Sequence, residues 1–302
     1  MTLNHLTKTM HLYCARKSDY LKKAKAYAPS HITGFFVIYR NGSTGAGINI
    51  EEGVTTEVIA EKNNKNKIEI KINGKKKKAK TSERVIKEFL KKTNKKFEVK
   101  VNHKTKMPQG YGLGTSGASA LSLALALNKA LGLRLAKKKC VEIAKKAEIK
   151  EGTGLGDVIA EQFHGLMLGK KPYPSQNVEI VHIKERHVVM AFFAPIDTKK
   201  VITSKRKKEK INKSGKKCME EFSKRKSLGN FMKQCKHFSR DTGLLTKRLE
   251  KVIHKVPVAG MAMLGETLFI VTNNPARAKK ILLRHCKKVQ ISRIAEKGAH
   301  LI

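Results

Sequence analysis

Apolar positions along this chain switch repeatedly between a period of two and a period near 3.6, which outlines a protein of mixed strands and helices. Residues 24–28 and 35–39 predict two short strands divided by a turn at Pro29-Ser30-His31. Residues 42–47 read as a glycine-rich loop, after which 54–60 resumes strand character. Ile68, Ile70 and Ile72 alternate with charged residues up to Asn73-Gly74, a two-residue hairpin turn because both positions tolerate positive φ. The lysine run 75–78 is then a solvated hairpin arm. Thr81-Ser82 is expected to cap a helix carrying Val85, Ile86, Phe89 and Leu90, and Phe97, Val99 and Val101 alternate as the next strand.

Residues 108–117 form a second glycine-rich loop that opens a helix over 118–131, and another helix spans 135–149. The glycine-rich turn 152–156 precedes Asp157. Beyond 178–183 the composition shifts: 188–194 is a strand, and 199–226 is dense in Lys and Arg with Ile211, Met219 and Phe222 at helical spacing. Strands over 260–264 and 268–271, a helix over 276–286 and a strand over 289–294 follow, an order that suits a ferredoxin-like α+β domain. This gives an extension (1–24), an N-terminal domain (25–185) and a C-terminal domain (186–302), with no fixed-period repeat.

A length of 302 residues suggests one large domain or two modest ones, and 40% hydrophobic residues supply a sizeable core, which argues against a disordered chain. Lys and Arg number 65 against 24 Asp and Glu, a formal charge of +41. A highly solvated surface and a polyanion partner both account for that charge. Cys14, Cys140, Cys218, Cys235 and Cys286 lie far apart with no C-x-x-C pair, so they read as reduced thiols. The first 25 residues scatter charges among the apolar positions, leaving no signal-peptide core, and a cytoplasmic protein is expected. The uncharged stretch 107–128 is Pro- and Gly-rich in its first half; its apolar part predicts a buried helix rather than a membrane span.

The loop Pro108-Gln109-Gly110-Tyr111-Gly112-Leu113-Gly114-Thr115-Ser116-Gly117 is the most informative segment. Glycines let successive N–H groups turn toward one anion, and the following helix adds its unpaired amides and positive dipole end. Thr115 and Ser116 supply hydroxyls for a phosphate or a Mg²⁺ ion. A plain glycine turn with a Ser/Thr cap is the bland alternative. Gly112-x-Gly114-x-x-Gly117 matches the dinucleotide fingerprint in form, but no acidic strand end follows at the required distance. No Lys follows the glycines either, which removes the other standard phosphate loop.

Pro-x-x-x-Gly-Leu-Gly-Thr-Ser-Gly-Ala resembles the second motif of the GHMP kinases, the superfamily of galactokinase, homoserine kinase, mevalonate kinase and phosphomevalonate kinase. Ala28-Pro29-Ser30-His31-Ile32-Thr33-Gly34-Phe35-Phe36, Gly42-Ser43-Thr44-Gly45-Ala46-Gly47-Ile48-Asn49, Ala147-Glu148-Ile149 with Gly154-Leu155-Gly156-Asp157-Val158-Ile159, and Met261-Ala262-Met263-Leu264-Gly265 resemble, in colinear order, the motifs of its archaeal pantoate-phosphorylating branch. The resemblance implies a two-domain α+β kinase, with an N-terminal domain whose fold is shared by a ribosomal protein. It implies ATP and Mg²⁺ in the cleft and phosphorylation of the terminal hydroxyl of pantoate on the archaeal route to coenzyme A. On it, Pro108, Gly110, Gly112, Leu113, Gly114, Thr115, Ser116 and Gly117 bind ATP, and Ser116 and Glu148 hold Mg²⁺. Asp157 serves as base, and His31 and Gly265 contact substrate. A helix cap at Asp157, a solvated surface position at Glu148 and a structural histidine at His31 are the alternatives read from the residues themselves. A homodimer is compatible with the chain.

Other small-molecule kinases of the superfamily, acting on homoserine, shikimate or mevalonate, are the neighbouring reading. From a different class, an RNA-binding protein would use the thirteen basic residues of 199–226. Phe222 is the sole aromatic there, so stacking platforms are missing, and no nucleic-acid or membrane partner is expected.

Overall fold

The computed structural model describes residues 21–175 and 177–302. The extension through residue 20, with Cys14 and the charged positions weighed against a signal peptide, lies outside the described residues. Its first feature is a long antiparallel pair, β1 (Leu21–Tyr39) and β2 (Gly42–Lys62). Pairing runs from Leu21 opposite Glu61 to Tyr39 opposite Gly42, with irregularities between Ala28 and Ser30 and between Thr33 and Phe35. The turn expected at Pro29-Ser30-His31 is therefore absent: Pro29 sits at a ladder irregularity, where a missing N–H is tolerated.

The glycine-rich stretch 42–47 is strand rather than loop. Side chains at Gly45 and Gly47 would collide with the Phe35 carbonyl and the His31 ring, so these glycines admit close neighbours within the strand. β2 splits the sheet: residues 45–48 pair with β6 (Leu166–Lys171), which carries β7 (Asn177–Val181), while 55–62 pair with β5 (Phe97–Lys104). β5 in turn pairs in parallel with β3 (Lys67–Ile72), which turns through Asn73 and Gly74, both at positive φ, into β4 (Lys75–Lys76).

Three helices cover one part of this sheet: α1 (Lys80–Leu90), α2 (Thr115–Ala130) and α3 (Lys137–Glu151). The expected cap of α1 is not formed. The helix starts one residue earlier, after Ala79, and the Thr81 and Ser82 hydroxyls bond Thr153 Oγ1 and His103 Nε2 instead. α2 is buried on nearly every face, which explains why its sequence is uncharged up to the exposed Lys129 in its last turn. The one-turn helix α4 (Asp157–Ala160) follows the 152–156 turn.

The second sheet is antiparallel, in the order β11 (Val289–Arg293), β8 (His187–Pro195), β10 (Gly265–Thr272), β9 (Gly260–Ala262). Between β8 and β9 lie α5 (Thr198–Ile202), α6 (Lys205–Lys224), α7 (Leu228–Asp241) and α8 (Lys247–Lys255), and α9 (Pro275–Leu283) joins β10 to β11. β12 (His300–Leu301) returns to pair with β1 at Ala26 and Tyr27.

Apolar packing falls into two cores. Ala24, Ala26 and Ala28 belong with α1, α2 and α3, whereas Ile32, Phe35 and Phe36 belong with the second sheet and its helices. The same strand therefore serves both. Phe35, Phe222, Phe231 and Phe269 continue from β1 through α6 and α7 to β10, with ring centroids 5.7–6.3 Å apart, within the range of favourable aromatic pairs.

The closeness of α6 to β1 generates a stability prediction. A side chain at Gly215 in α6 would run into the Phe36 carbonyl of β1, whereas Gly229 in α7 faces nothing within 4 Å. Gly215→Ala should lower stability by about 1–3 kcal/mol through overpacking, and Gly229→Ala should leave it unchanged or raise it by about 0.5–1 kcal/mol. Thermal denaturation of the two variants checks this; equal effects would show that α6 does not press on β1.

Candidate functional site

The principal cleft of the described residues encloses about 1080 Å³, its solvent-facing mouth included, and lies where β1, β2, β6, α2, α4 and the loop after β9 converge. His31, Thr115, Ser116 and Asp157 all line it, with Gly110, Gly112, Leu113 and Gly114 of the glycine loop. Residues far apart in sequence are thus brought to one place.

Local chain chemistry explains the loop. Gly110, Gly112 and Gly114 have φ of 80°, 74° and 63°, a region costly for other residues, and Gly114 is the N-cap of α2 without a side-chain cap. The Ala118 N–H makes the first bond of the helix, to Gly114 O, so the amides of Thr115, Ser116 and Gly117 precede the ladder at the positive end of the helix dipole. A backbone bond from His31 N–H to Leu113 O (3.0 Å) fastens the loop to β1, and Ile196 N–H to Gly110 O (2.9 Å) fastens it to the end of β8.

Four of the residues chosen from sequence do not line the cleft: Pro108, Gly117, Glu148 and Gly265. Gly265 packs its backbone against Tyr111 and Gly112, where no side chain fits; its place is to seat the loop, and its neighbours Met263 and Leu264 reach the cleft instead. Gly117 lies beneath the loop, with Asp157 Cβ and Glu161 Oε2 each 2.9 Å from where its Cβ would stand, which lets α4 approach α2. Glu148 is completely buried behind Gly154, which overturns the solvated-surface alternative. Asp157 is the first residue of α4; Gly156 is the N-cap and no side chain caps it, so the helix-cap alternative for Asp157 is also overturned.

A buried acidic layer lies behind the lining of the cleft. Among the described residues neither oxygen of Glu148 nor of Glu161 has a hydrogen-bond partner, and both residues are fully buried. Burial, and then the charge of Asp157, pushes both carboxyls well above the usual range, with Glu148 adding to the shift at Glu161. Asp157 keeps part of its surface toward the cleft but is shielded from bulk water, and this desolvation raises it to about 6. An ionised carboxylate held in the interior without a partner costs several kcal/mol, against a total stability of about 5–15 kcal/mol. Two of them cannot both stay charged in the ligand-free protein; protonation or a cation must relieve them.

His31 is the opposite case. Burial lowers it to about 4 despite a 2.7 Å bond between its Nδ1 and Asn49 Oδ1, so it is neutral near pH 7. Sequence reasoning missed Glu161 and Lys171, and gave Asn49, the last residue of a family motif, no role of its own. Lys171, at the end of β6, is the lysine lining the cleft and makes no ion pair with a described carboxylate. The signal for it was the strand after Gly165, which the pattern reading passed over.

Comparison with known proteins finds relatives along most of the chain. Residues 80–165 match the family described as GHMP kinases N terminal domain. The pantoate kinase of Methanocaldococcus jannaschii is 37% identical over 256 residues, 82% of this chain and 92% of that protein. The pantoate kinase of Thermococcus kodakarensis is 31% identical over 279 residues, 86% of this chain and 91% of that protein. A solved phosphotransferase related to the CoA biosynthesis pathway superposes with a TM-score of 0.84 at 25% identity, covering 93% of this chain and 98% of its own. A structure described as MDDEF in complex with MVAPP, AMPPCP and magnesium, at 13% identity, has a TM-score of 0.73 over 93% of this chain and 99% of its own, and shares the fold. With a glycine cradle, a facing carboxylate and relatives matched along most of its length, the chain belongs to the pantoate kinases of the GHMP kinase superfamily.

Proposed function

We propose that the protein transfers the terminal phosphoryl group of ATP to the primary hydroxyl of pantoate, giving 4-phosphopantoate for coenzyme A synthesis. The observation that carries this reading is the meeting, in one cleft, of the open amides of α2 with the Asp157 carboxylate, in a member of this family. Phosphoryl transfer asks mainly for in-line placement and charge neutralisation, and both are supplied by the parts present.

The loop 110–116 cradles the phosphates through its amides and the Thr115 and Ser116 hydroxyls. Asp157 accepts the proton of the attacking hydroxyl as the new O–P bond forms and the bond to the β-phosphate oxygen breaks. Lys171 attracts the substrate carboxylate. Ser116 and Glu148 would hold Mg²⁺: the two unpartnered Glu148 oxygens fit a cation, and a structural relative carries magnesium with AMPPCP. Mg²⁺ is usually held by one or two carboxylates together with the substrate phosphates. That ion supplies neutralisation of the charge on the transferred phosphoryl group.

The domain division at about 186 stands in this reading as a nucleotide-binding part and a C-terminal part, the latter ferredoxin-like; its β8, β9–β10, α9, β11 order supports that. A nucleic-acid role finds no support beyond charge, since Phe222, the aromatic of the basic stretch, is fully buried. No helix of the described residues is long and apolar enough to cross a membrane.

ATP consumption against pantoate, pantothenate, homoserine, shikimate and mevalonate tests the substrate; faster turnover of any of the others than of pantoate would overturn it. Asp157→Asn should lower kcat by roughly 10²–10⁴-fold without lowering Tm, because Asp157 caps nothing. In the wild type, kcat/KM should fall about tenfold per unit below pH 6, where Asp157 becomes protonated. A flat profile between pH 5 and 7 would remove it as base.

Glu148 yields a linked prediction. Its raised folded-state value means that its contribution to stability is present below the ordinary carboxyl range and is lost as pH rises through the raised value. Glu148→Gln should therefore raise the Tm of the ligand-free protein at pH 8 more than at pH 4, while increasing the magnesium concentration needed for half-maximal activity. Scanning calorimetry and a magnesium titration read the two effects; an unchanged magnesium requirement would exclude Glu148 as a ligand.

A further inference from the structure

His31 and Asn49 are directly opposed across β1 and β2, and their side chains meet on the face that carries the cleft. The Asn49 amide has one orientation open to it. Its Nδ2 donates to Ala160 O at 2.9 Å and to Phe163 O at 2.8 Å, and reversing the amide would set Oδ1 against two carbonyl oxygens. Oδ1 must then accept from His31, so Nδ1 carries the proton. At neutral pH the ring is uncharged, which leaves the other nitrogen, Nε2, with a lone pair and no proton. Among the described residues no protein group bonds Nε2, which is not sealed from the cleft; Gly47, having no side chain, lets this edge of the ring pack against β2.

An unprotonated Nε2 repels a carboxylate and accepts from a hydroxyl. Of the two hydroxyls of pantoate, the primary one gives its proton to Asp157, and the secondary one, beside the carboxylate, is left to find an acceptor. We propose that Asn49 fixes His31 as the Nδ1–H tautomer, and that His31 Nε2 accepts a hydrogen bond from the C2 hydroxyl of the substrate, selecting 2-hydroxy acids. The assignment rests on the pantoate reading above. Asn49 is a positioning residue: through Ala160 O and Phe163 O the same amide also ties the ring to the end of α4, the helix that begins with Asp157.

Two measurements test this. Long-range ¹H–¹⁵N correlation on histidine-labelled full-length protein at pH 7, with His31→Gln to assign the signals, should show a protonated Nδ1 and an unprotonated Nε2 at His31. An Nε2–H tautomer or an imidazolium overturns the proposal. Kinetics then compare pantoate with 4-hydroxy-3,3-dimethylbutanoate, which lacks the C2 hydroxyl. The wild type should prefer pantoate in kcat/KM by about 10–100-fold, because the analogue leaves a polar group unpaired. His31→Phe, or His31→Leu should the former not fold, should bring the ratio near one, while His31→Gln, which keeps an acceptor, should retain part of the preference. Unchanged discrimination in the apolar variant, with pantoate still turned over, overturns the contact alone. Failure of the wild type to phosphorylate pantoate overturns the substrate reading and this contact with it, and the tautomer measurement still separates the two.

Discussion

The register of β1 against β2 is the constraint on which the remainder of the structure depends. A slip of one residue would turn every side chain of a strand to the other face of the sheet, moving Phe35 from its aromatic neighbours and separating His31 from Asn49. The pair holds because both of its ends are packed: Ala24, Ala26 and Ala28 against one set of helices, Phe35 and Phe36 against another. Its middle, between the two ladder irregularities, is where the loops attach. The Leu113 carbonyl accepts from His31, the Thr33 carbonyl accepts from Met263, and Asn49 bonds through its backbone to Gly165 and Ala295. Irregularities of this kind re-aim side chains next to functional sites, and here they flank the histidine that enters the cleft.

Much of the site was legible because its chemistry imposes local sequence rules. A loop that opens its amides before a helix needs glycines at positive φ, and Gly110, Gly112 and Gly114 announce that geometry without tertiary information. Asp157 was legible for a similar reason, at the end of a glycine turn. The hairpin at Asn73-Gly74 and the buried helix α2 follow equally from local pattern. Glu148 and Glu161 show where this stops. On a helix with lysines at 145, 146 and 150, a glutamate looks solvated, and only the packing of Gly154 over its carboxyl puts it inside. Glu161 follows α4 by one residue and has no motif; its position beneath Gly114 and Gly117 is a tertiary fact.

The fold was misread where glycine and proline were taken as punctuation. Pro29 and Gly42, Gly45 and Gly47 all lie within two long strands. In a half-buried strand paired on both sides, a glycine marks a close neighbour as readily as a turn, and the neighbours here are the Phe35 backbone and the His31 ring, remote enough in sequence to leave no local trace. Helices α7 and α8 carried a readable signal in Phe231, Cys235 and Phe238 and in Leu249, Val252 and Ile253, all buried at helical spacing, but their dense positive charge resembled the basic stretch before them.

The charge of +41 and the buried acidic layer behind the cleft pull in opposite directions, and their difference in range decides what each does. Surface charges act over roughly a Debye length, about 8 Å at physiological ionic strength, and raise the local concentration of anions such as ATP without choosing among them. At the cleft the nearest groups dominate: Asp157 lines it, and Glu148 and Glu161 lie buried behind that lining. A phosphate arriving there meets repulsion unless protons or a cation accompany it. On the proposed reading, the excess of lysine acts on approach to the protein, whereas the buried carboxylates favour a nucleotide that brings positive charge of its own. A surface charge reversal acts on the first of these, and the loss of one buried carboxyl acts on the second.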